Sequence, residues 1–477
     1  MIKSRIYQVL VGLSTKDLKR FERFYSSPYH NSSERVSDLL TLLSSALRQK
    51  AAPPDKTKLW AEMISDKPYQ DSTMRKLCNE ALQLFESFVA IEFFQKDKAL
   101  QATTRLKALK ESNLSELYKS NVKKARTMLE RQTDRAGDLF YHQYQLEQSL
   151  YDMQEGSVQR FDQINLDRIL GHLDTFYVTE KLRFYCEILS RKSFTKHQYG
   201  NLLVEEILDL VQKGGFSDTP VVSIYHQIIL THLEPDQENH YFVLRNLLEQ
   251  HGADLPKAEM SQVYQAALNY CNRQINNGKF YFLDESFALY KQFLKRELIF
   301  ENGYITHWTF KNVVVLALRL KEYDWAKRFI HKYGQYIHES YRDNAITYNL
   351  AQLYFYQKKY TDVLTQLQAV QYKDVTYNLG SKAMLFATYY ELAEWDALHS
   401  LAASFRLYIN RRKQTISEKR RSSYINFINF TLKLSKIRSG DLDAIDKLSS
   451  TINQTSSIAS ESWLKEKVMQ KKQAVPI

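Results

Sequence analysis

The sequence has few of the residues that form tight turns, with only 13 glycines and 8 prolines among 477 residues. A large β or α/β protein needs many tight connections, which glycine and proline usually supply. Their scarcity therefore favours long helices joined by short links. A chain of this length also exceeds what one compact hydrophobic core normally supports, so we expect several domains or a quasi-linear array of repeats.

Cysteine is scarce as well. The three cysteines, Cys78, Cys186 and Cys271, lie far apart and form no CxxC pair. This spacing argues against a disulfide framework or a zinc ribbon and indicates a reducing compartment. No window approaches 18 uninterrupted apolar residues, and the N-terminal apolar stretch lacks the cleavage site of a signal peptide. We therefore expect no membrane span and a cytoplasmic location.

The familiar catalytic motifs are missing. The sequence contains no GxGxxG or GxxxxGK[ST] phosphate loop, no GxSxG nucleophile turn and no HExxH zinc motif. Adjacent carboxylates such as Glu205 and Glu206 point apart on a helix, so they fit solvated faces better than acid–base pairs. We therefore predict a protein that is not an enzyme and has no cofactor.

Histidines give two weak indications of a metal site. The run HLEP at residues 232–235 resembles half of a zinc deaminase motif, but the CxxC that would complete it is missing. His331 and His338 are seven residues apart, so on one helix they would lie near the same face and could share a metal ion. No third ligand accompanies them. We expect solvated or capping histidines and no metal.

Helical patterns begin near the N-terminus, in a chain with an ordinary content of 44% apolar and 25% charged residues. Ser14 followed by Asp17 resembles a capping box, and Ser33 precedes a second run with helical spacing. Asp71 or Ser72 is predicted to cap a longer helix. Later helices are predicted in pairs, over residues 159–175 with 178–191, 220–232 with 238–250, and 258–275 with 281–298.

The most informative pattern is a period in residues 304–410. Tyr323, Tyr360 and Trp395 each follow a short polar turn, at steps of 37 and 35 residues. A period in this range is typical of stacked helical hairpins. Further apolar residues recur at fixed offsets before and after each aromatic: Val313, Val314, Ala317 and Ala326; Leu350, Ala351, Tyr354 and Val363; and Leu385, Phe386, Tyr389 and Leu398.

This pattern resembles the tetratricopeptide family, with the best match at Leu350, Ala351, Tyr354 and Tyr360. Val363, Leu398 and Phe386 are bulkier than that family's usual residues. The resemblance implies an all-α fold of helical hairpins stacked as a superhelix, with a partner bound in a groove. The candidate groove residues are Asn349, Tyr354, Asn378 and Tyr389.

We divide the chain into four predicted regions. They are residues 1–97, an N-terminal helical bundle; 98–257, long helices and helical hairpins; 258–440, tetratricopeptide-like repeats; and 441–477, a C-terminal capping helix and tail. In the last region, Trp463, Leu464 and Val468 are expected to dock the helix, and residues 470–477 are expected to fray.

Positive charge is the second signal. The net charge is +12 and the isoelectric point about 9.2. Within residues 406–438 Glu418 is the only acid. The cations of this basic stretch are Arg406, Arg411, Arg412, Lys413, Lys419, Arg420, Arg421, Lys433, Lys436 and Arg438.

This stretch could be a solvated helix end, or it could hold nucleic acid, an acidic protein tail or an anionic membrane surface. We predict a non-catalytic scaffold or adaptor that binds a protein or peptide partner, with an acidic partner favoured by the charge. The alternative is a nucleic-acid-binding or regulatory protein that uses residues 406–438.

Overall fold

The computed structural model describes residues 1, 4–49, 54–65, 67–132, 137–154, 165–192, 197, 199–200, 202–368, 374–438 and 440–473. These residues form 23 α-helices and no β-strand. The predicted all-α fold class is confirmed. No helix in the described ranges is long and apolar enough to cross a membrane.

The chain divides into two compact units, Met1–Arg183 and Phe184–Ile477. Helix α9 begins in unit 1 and ends in unit 2. The helices that begin in unit 1 are α1 (Arg5–Val11), α2 (Thr15–Tyr25), α3 (Glu34–Arg48), α4 (Lys56–Met63), α5 (Asp71–Lys96), α6 (Lys98–Glu111), α7 (Ser115–Glu130), α8 (Gly137–Gln154) and α9 (Leu166–Lys192).

Side-chain caps begin several helices of unit 1. The Ser14 hydroxyl accepts a hydrogen bond from the Asp17 N–H, 3.1 Å away, and Ser33 caps α3 in the same way, so both predicted caps are confirmed. The expected cap at Asp71 or Ser72 is wrong. Asp71 is the first helical residue of α5, and its carboxylate instead contacts Lys56 and Arg75.

Unit 1 contains two clusters of buried side chains. The first joins α1–α5 around Phe21, Leu39 and Met74. The second joins α6–α8 around Leu106 and Leu129. The expected boundary between residues 97 and 98 thus lies between two core clusters of the same unit.

Helix α9 differs from the sequence prediction. Residues 159–164 of the predicted pair lie outside the described residues, and the rest of the pair forms one helix, Leu166–Lys192, with no break between residues 175 and 178. The predicted pair is wrong there because no glycine or proline ends the helix. Thr175 stays helical and donates its hydroxyl to the Gly171 carbonyl at 2.7 Å.

The remaining helices begin in unit 2. These helices are α10 (Val204–Gln212), α11 (Pro220–Leu233), α12 (Asn239–His251), α13 (Lys257–Asn276), α14 (Phe282–Lys295), α15 (His307–Arg319), α16 (Tyr323–Tyr333), α17 (Glu339–Tyr356), α18 (Tyr360–Gln368), α19 (Val375–Glu391), α20 (Trp395–Arg411), α21 (Glu418–Lys436), α22 (Leu442–Gln454) and α23 (Glu461–Gln473).

Helices α15–α20 form three hairpins, and the three predicted aromatics begin the second helix of each. Two residues before each aromatic the backbone is left-handed, with φ of 61° at Lys321, 60° at Lys358 and 55° at Ala393. In each turn the N–H of the following residue donates a hydrogen bond to a backbone carbonyl of the first helix at 2.9 Å. This bond gives a partner to a carbonyl at the end of the helix.

The helices of unit 2 pack in chain order. Each of α15, α17 and α19 contacts its own hairpin partner; α15 and α17 also contact the first helix of the next hairpin, and α19 contacts α21. After the last of these hairpins, α21, α22 and α23 share one core with α19 and α20. This core crosses the expected boundary between residues 440 and 441. Residues 470–473, which we expected to fray, belong to α23, and residues 474–477 lie outside the described residues.

Candidate functional site

A cavity of about 730 Å³ lies in unit 2, between α17, α19, α21 and the C-terminal segment, residues 459–473. We call the sides of α17, α19 and α21 that line it the first-helix face. The volume falls in the range of small-molecule and side-chain pockets. The aromatic residues of the lining are Tyr348, Phe355, Tyr356, Tyr360, Tyr424 and Trp463.

The C-terminal segment is held by a buried polar contact. The Trp463 indole N–H donates to Glu391 Oε1 at 2.7 Å, and Lys467 Nζ lies 2.6 Å from the same oxygen. The side chains of Glu391 and Lys467 are only 11% and 8% exposed. The Ala459 N–H donates to the Ser423 carbonyl at 3.0 Å. These contacts fix one wall of the cavity against α19 and α21.

The tyrosines near Glu391 are kept neutral. Burial, with the negative charge of Glu391, raises the pKa of Tyr390 to about 12. Burial and the Glu391 carboxylate also hold the pKa of Tyr360 well above its usual range. These phenols therefore act as neutral hydrogen-bonding groups at physiological pH and not as bases.

Small side chains on α19 leave room for the cavity. Gly380, Ala383 and Ala387 line the cavity along one side of that helix. A Cβ atom on Gly380 would collide with the Tyr348 hydroxyl, so glycine is needed for the close approach of α17 and α19. The Gln352 Nε2 amide donates to that hydroxyl at 3.3 Å.

Cations lie beside the cavity. Lys311 Nζ is 5.3 Å from the centroid of the Tyr348 ring and 5.8 Å from that of Tyr377. Arg420 lines the cavity and donates to Thr376 Oγ1 at 3.0 Å. Burial and the positive charge of Arg420 lower the pKa of Lys311, while Asp374 opposes the change. Two cations thus lie close to the aromatic rings at this side of the cavity.

None of the four predicted groove residues lines the cavity. Asn349 is fully buried, and its side-chain amide donates to the Ala345 carbonyl at 2.7 Å. It therefore lies in the core and not, as we had expected, in an open groove. Asn378, Tyr354 and Tyr389 are partly buried. The carbonyls of Tyr354 and Tyr389 accept the N–H bonds of the hairpin turns.

Sequence reasoning missed Tyr348 and Gln352, although both lie on the same helix as Asn349. The pattern located the hairpin, but it did not identify which side of α17 meets the C-terminal segment. Trp463 is separated from its partner Glu391 by 72 residues. No local spacing could have indicated that contact.

The basic stretch does not form a single surface. Arg406 donates to Asn429 Oδ1 at 2.7 Å, and Arg421 donates to the Ile416 carbonyl at 3.1 Å and to that of Lys413. Arg420 faces the cavity, about 140° around α21 from Lys433. The exposed members are Arg406, Arg411, Arg412, Lys413, Lys419, Lys433, Lys436 and Arg438.

The histidines have structural partners. His338 caps α17, with Nδ1 accepting from the Ser340 N–H at 3.3 Å, whereas His331 lies on α16. The two do not share a helix because the chain turns between α16 and α17, and His338 is a capping histidine, as expected. Glu234 contacts His240 at 3.0 Å. The described residues contain no group of three or more metal-ligand side chains.

The cysteines are free thiols in this structure. Burial raises the pKa of Cys271 to about 12 and holds the pKa of Cys186 well above its usual range. A thiol is nucleophilic only as the thiolate. These two side chains therefore fit packing roles, since each would remain protonated at physiological pH.

Comparisons of the chain with models of known protein families, with curated proteins and with solved structures find no match. The function is therefore argued from the cavity and its surrounding charges.

Proposed function

We propose that this protein is a non-catalytic interaction scaffold, in which tetratricopeptide-like hairpins stack as a superhelix and bind a segment of a partner polypeptide at the first-helix face. The observation that carries the proposal is the cavity lined by α17 and α19, the first helices of two successive hairpins, and by α21. A stack of hairpins shares one core between neighbours and leaves the sides of its first helices for binding.

The lining suits a polypeptide. Aromatic rings offer apolar area that is ordered before binding, and the amide of Gln352 and the guanidinium of Arg420 offer directional hydrogen bonds. Tyr360 in the lining has a raised pKa, so its phenol offers a neutral hydrogen-bonding group and not a base. These features favour recognition over catalysis.

The test is site-specific photo-crosslinking in the full chain. A photoreactive amino acid replaces Tyr356, which lines the cavity and is 39% exposed, and in a control chain it replaces Tyr29, which is 91% exposed in unit 1. We expect a protein adduct from position 356 that persists after nuclease treatment and in high salt. Adducts from position 29 alone, or none from either position, would contradict the proposal.

The alternative is nucleic-acid binding through the basic stretch. It is favoured by the exposure of Arg411, Arg412 and Lys413, at the end of α20 and in the connection to α21. Phosphate binding releases counterions, so its affinity should fall steeply as salt rises. Replacement of these three residues by glutamine should then weaken binding to a labelled single strand and reduce the dependence of its affinity on salt. Unchanged affinity would reject the alternative.

A further inference from the structure

Three carboxylates that line the cavity are each paired with a lysine, whereas one cation of the lining has no carboxylate partner. Glu391 lies 2.6 Å from Lys467, Glu461 lies 2.7 Å from Lys465, and Glu466 lies 3.9 Å from Lys358. Arg420 forms no ion pair with any residue that the structure describes, and its guanidinium donates to the neutral hydroxyls of Thr376 and Tyr424. The lining therefore carries one uncompensated positive charge, which fits an anionic group.

Gln352, which lines the same cavity, has a polar atom without a partner. Gln352 Oε1 is buried and forms no hydrogen bond within the described parts of the chain, while Nε2 donates to Tyr348. Rotation of the amide by half a turn would exchange the two atoms, and one end would still be left without a partner. A buried amide group without a partner is costly, so a bound ligand that supplies one would be favoured.

The rest of the cavity is apolar. Met384, Ala383 and Ala387 form one side, and the rings of Phe355 and Trp463 are also in the lining. A space of about 730 Å³ accommodates a large side chain together with its adjoining backbone. The lining thus combines a cation without an ion pair, an amide group without a full set of partners and an apolar side.

We propose that this cavity binds an extended peptide segment in which a large apolar side chain adjoins an aspartate or glutamate. The carboxylate pairs with Arg420, a backbone amide pairs with Gln352, and the apolar side chain lies among the rings. Lys311, whose Nζ lies 5.3 Å from the centroid of the Tyr348 ring, adds a second positive charge beside the cavity. The inference rests on the proposed scaffold function and specifies the class of partner.

The experiment uses the full chain and an array of blocked hexapeptides whose two central positions are varied over all amino acids. We expect selection of a large apolar residue beside an acidic one. For the best peptide, Arg420→Gln should weaken binding about tenfold or more and remove the preference for an acid, since a charge-assisted hydrogen bond is lost. Arg420→Lys should retain part of the preference because it keeps the charge.

The matched control is Arg412→Gln, which removes an exposed cation of the same basic stretch. It should leave the affinity within about twofold, because an exposed charge outside the cavity contributes little. Circular dichroism checks that each variant is folded. An acid preference that survives Arg420→Gln, or equal losses in both variants, overturns the inference.

Failure of this inference differs from failure of the scaffold function. Selection of peptides without an acidic residue, together with crosslinks from position 356, would reject the peptide class and leave the scaffold proposal standing. Absence of any selected peptide and of any crosslink would reject both. Displacement of the peptide by nucleic acid through Arg420 would overturn the inference in favour of a phosphate ligand.

Discussion

At the residue scale, the ion pair between Glu391 and Lys467 links the C-terminal segment to α19. Breaking one partner of a buried pair leaves a charge without compensation. We expect Lys467→Met to lower the free energy of unfolding of unit 2 by about 3 kcal/mol, measured by urea denaturation followed by circular dichroism. Methionine keeps the helix propensity and much of the side-chain volume, so the loss reports the charge.

The control for this prediction lies on the same helix. Lys472 is 2.6 Å from Asp446, but these side chains are 50% and 55% exposed. Lys472→Met should cost less than about 1 kcal/mol because exposed pairs are screened by water. If the two substitutions had equal effects, burial would not explain the contribution of the Lys467 pair.

Replacement of two glycines within helices by alanine should change the stability in opposite directions. A Cβ atom at Gly171 in α9 meets nothing within 4 Å, whereas at Gly380 it would collide with the Tyr348 hydroxyl. Gly171→Ala should therefore stabilise the protein by about 0.5–1 kcal/mol through helix propensity. Gly380→Ala should destabilise it despite the same gain in propensity. Thermal unfolding measures both changes, and partial recovery by Gly380→Ala with Tyr348→Phe would identify the hydroxyl as the obstacle.

His232 gives a prediction for pH dependence. Burial, with the nearby charge of Arg273, lowers its pKa to about 4 from an ordinary value of 6.5. The unfolded chain therefore binds a proton that the folded chain does not, between pH 6.5 and 4. Its contribution to stability is fully present above pH 6.5 and is lost as the pH falls to about 4.

The measurement is the free energy of unfolding between pH 7 and 4.5. His232→Gln should reduce its slope against pH, by at most about 1.4 kcal/mol per pH unit, because one proton is involved. His226, whose pKa is also lowered by burial, should keep a part of the slope in that variant. The control His399→Gln removes an exposed ring and should leave the slope unchanged. Equal slopes in wild type and His232→Gln would contradict the prediction.

At the element scale, the hairpin turns adopt a left-handed backbone at residues other than glycine. Ala393 has a φ of 55°, a region that costs a residue with a Cβ atom roughly 1 kcal/mol. Ala393→Gly should therefore stabilise unit 2 by about 0.5 kcal/mol after the added entropy of the unfolded chain. Ala403→Gly, on the exposed side of α20, should instead destabilise it by about 1 kcal/mol. Urea denaturation distinguishes the two signs.

The elements also show what the sequence could predict. Ser14 and Ser33 identified helix starts because a cap depends on residues close together in the sequence. Tyr323, Tyr360 and Trp395 indicated three turns because the residues around each turn recur in the same pattern. The break expected near residue 176 was wrong, since interrupted apolar spacing does not end a helix without a backbone cause. Asn349 was misplaced because the pattern of one helix does not give the packing of its neighbours.

At the scale of the whole molecule, the candidate site depends on contacts between distant parts of the chain. Trp463 and Lys467 meet Glu391 only after α20, α21 and α22 have turned the chain back toward α19. The sequence predicted a docking helix through Leu464 and Val468, but the partner of that helix and the cavity between them require the tertiary fold. The cations of the basic stretch likewise have different surroundings. Arg420 lines the cavity, Arg421 donates to backbone carbonyls, and most of the others are exposed.

The final prediction concerns how α23 stabilises unit 2. A chain that ends after Ser460 loses the buried side chains of Leu464 and Val468 and the ring of Trp463. Because hairpins stack on their neighbours, the loss should be greatest beside the missing helix and should decrease along the stack. Hydrogen exchange should accelerate at least about a hundredfold in α21, from roughly 3 kcal/mol of lost apolar burial, and change little in α11 and α12. Equal acceleration across α11–α21 would mean that unit 2 opens as one cooperative body, whereas unchanged exchange in α21 would mean that α23 contributes no stability. Unit 1, with its separate core around Phe21 and Leu39, provides the internal control for the comparison.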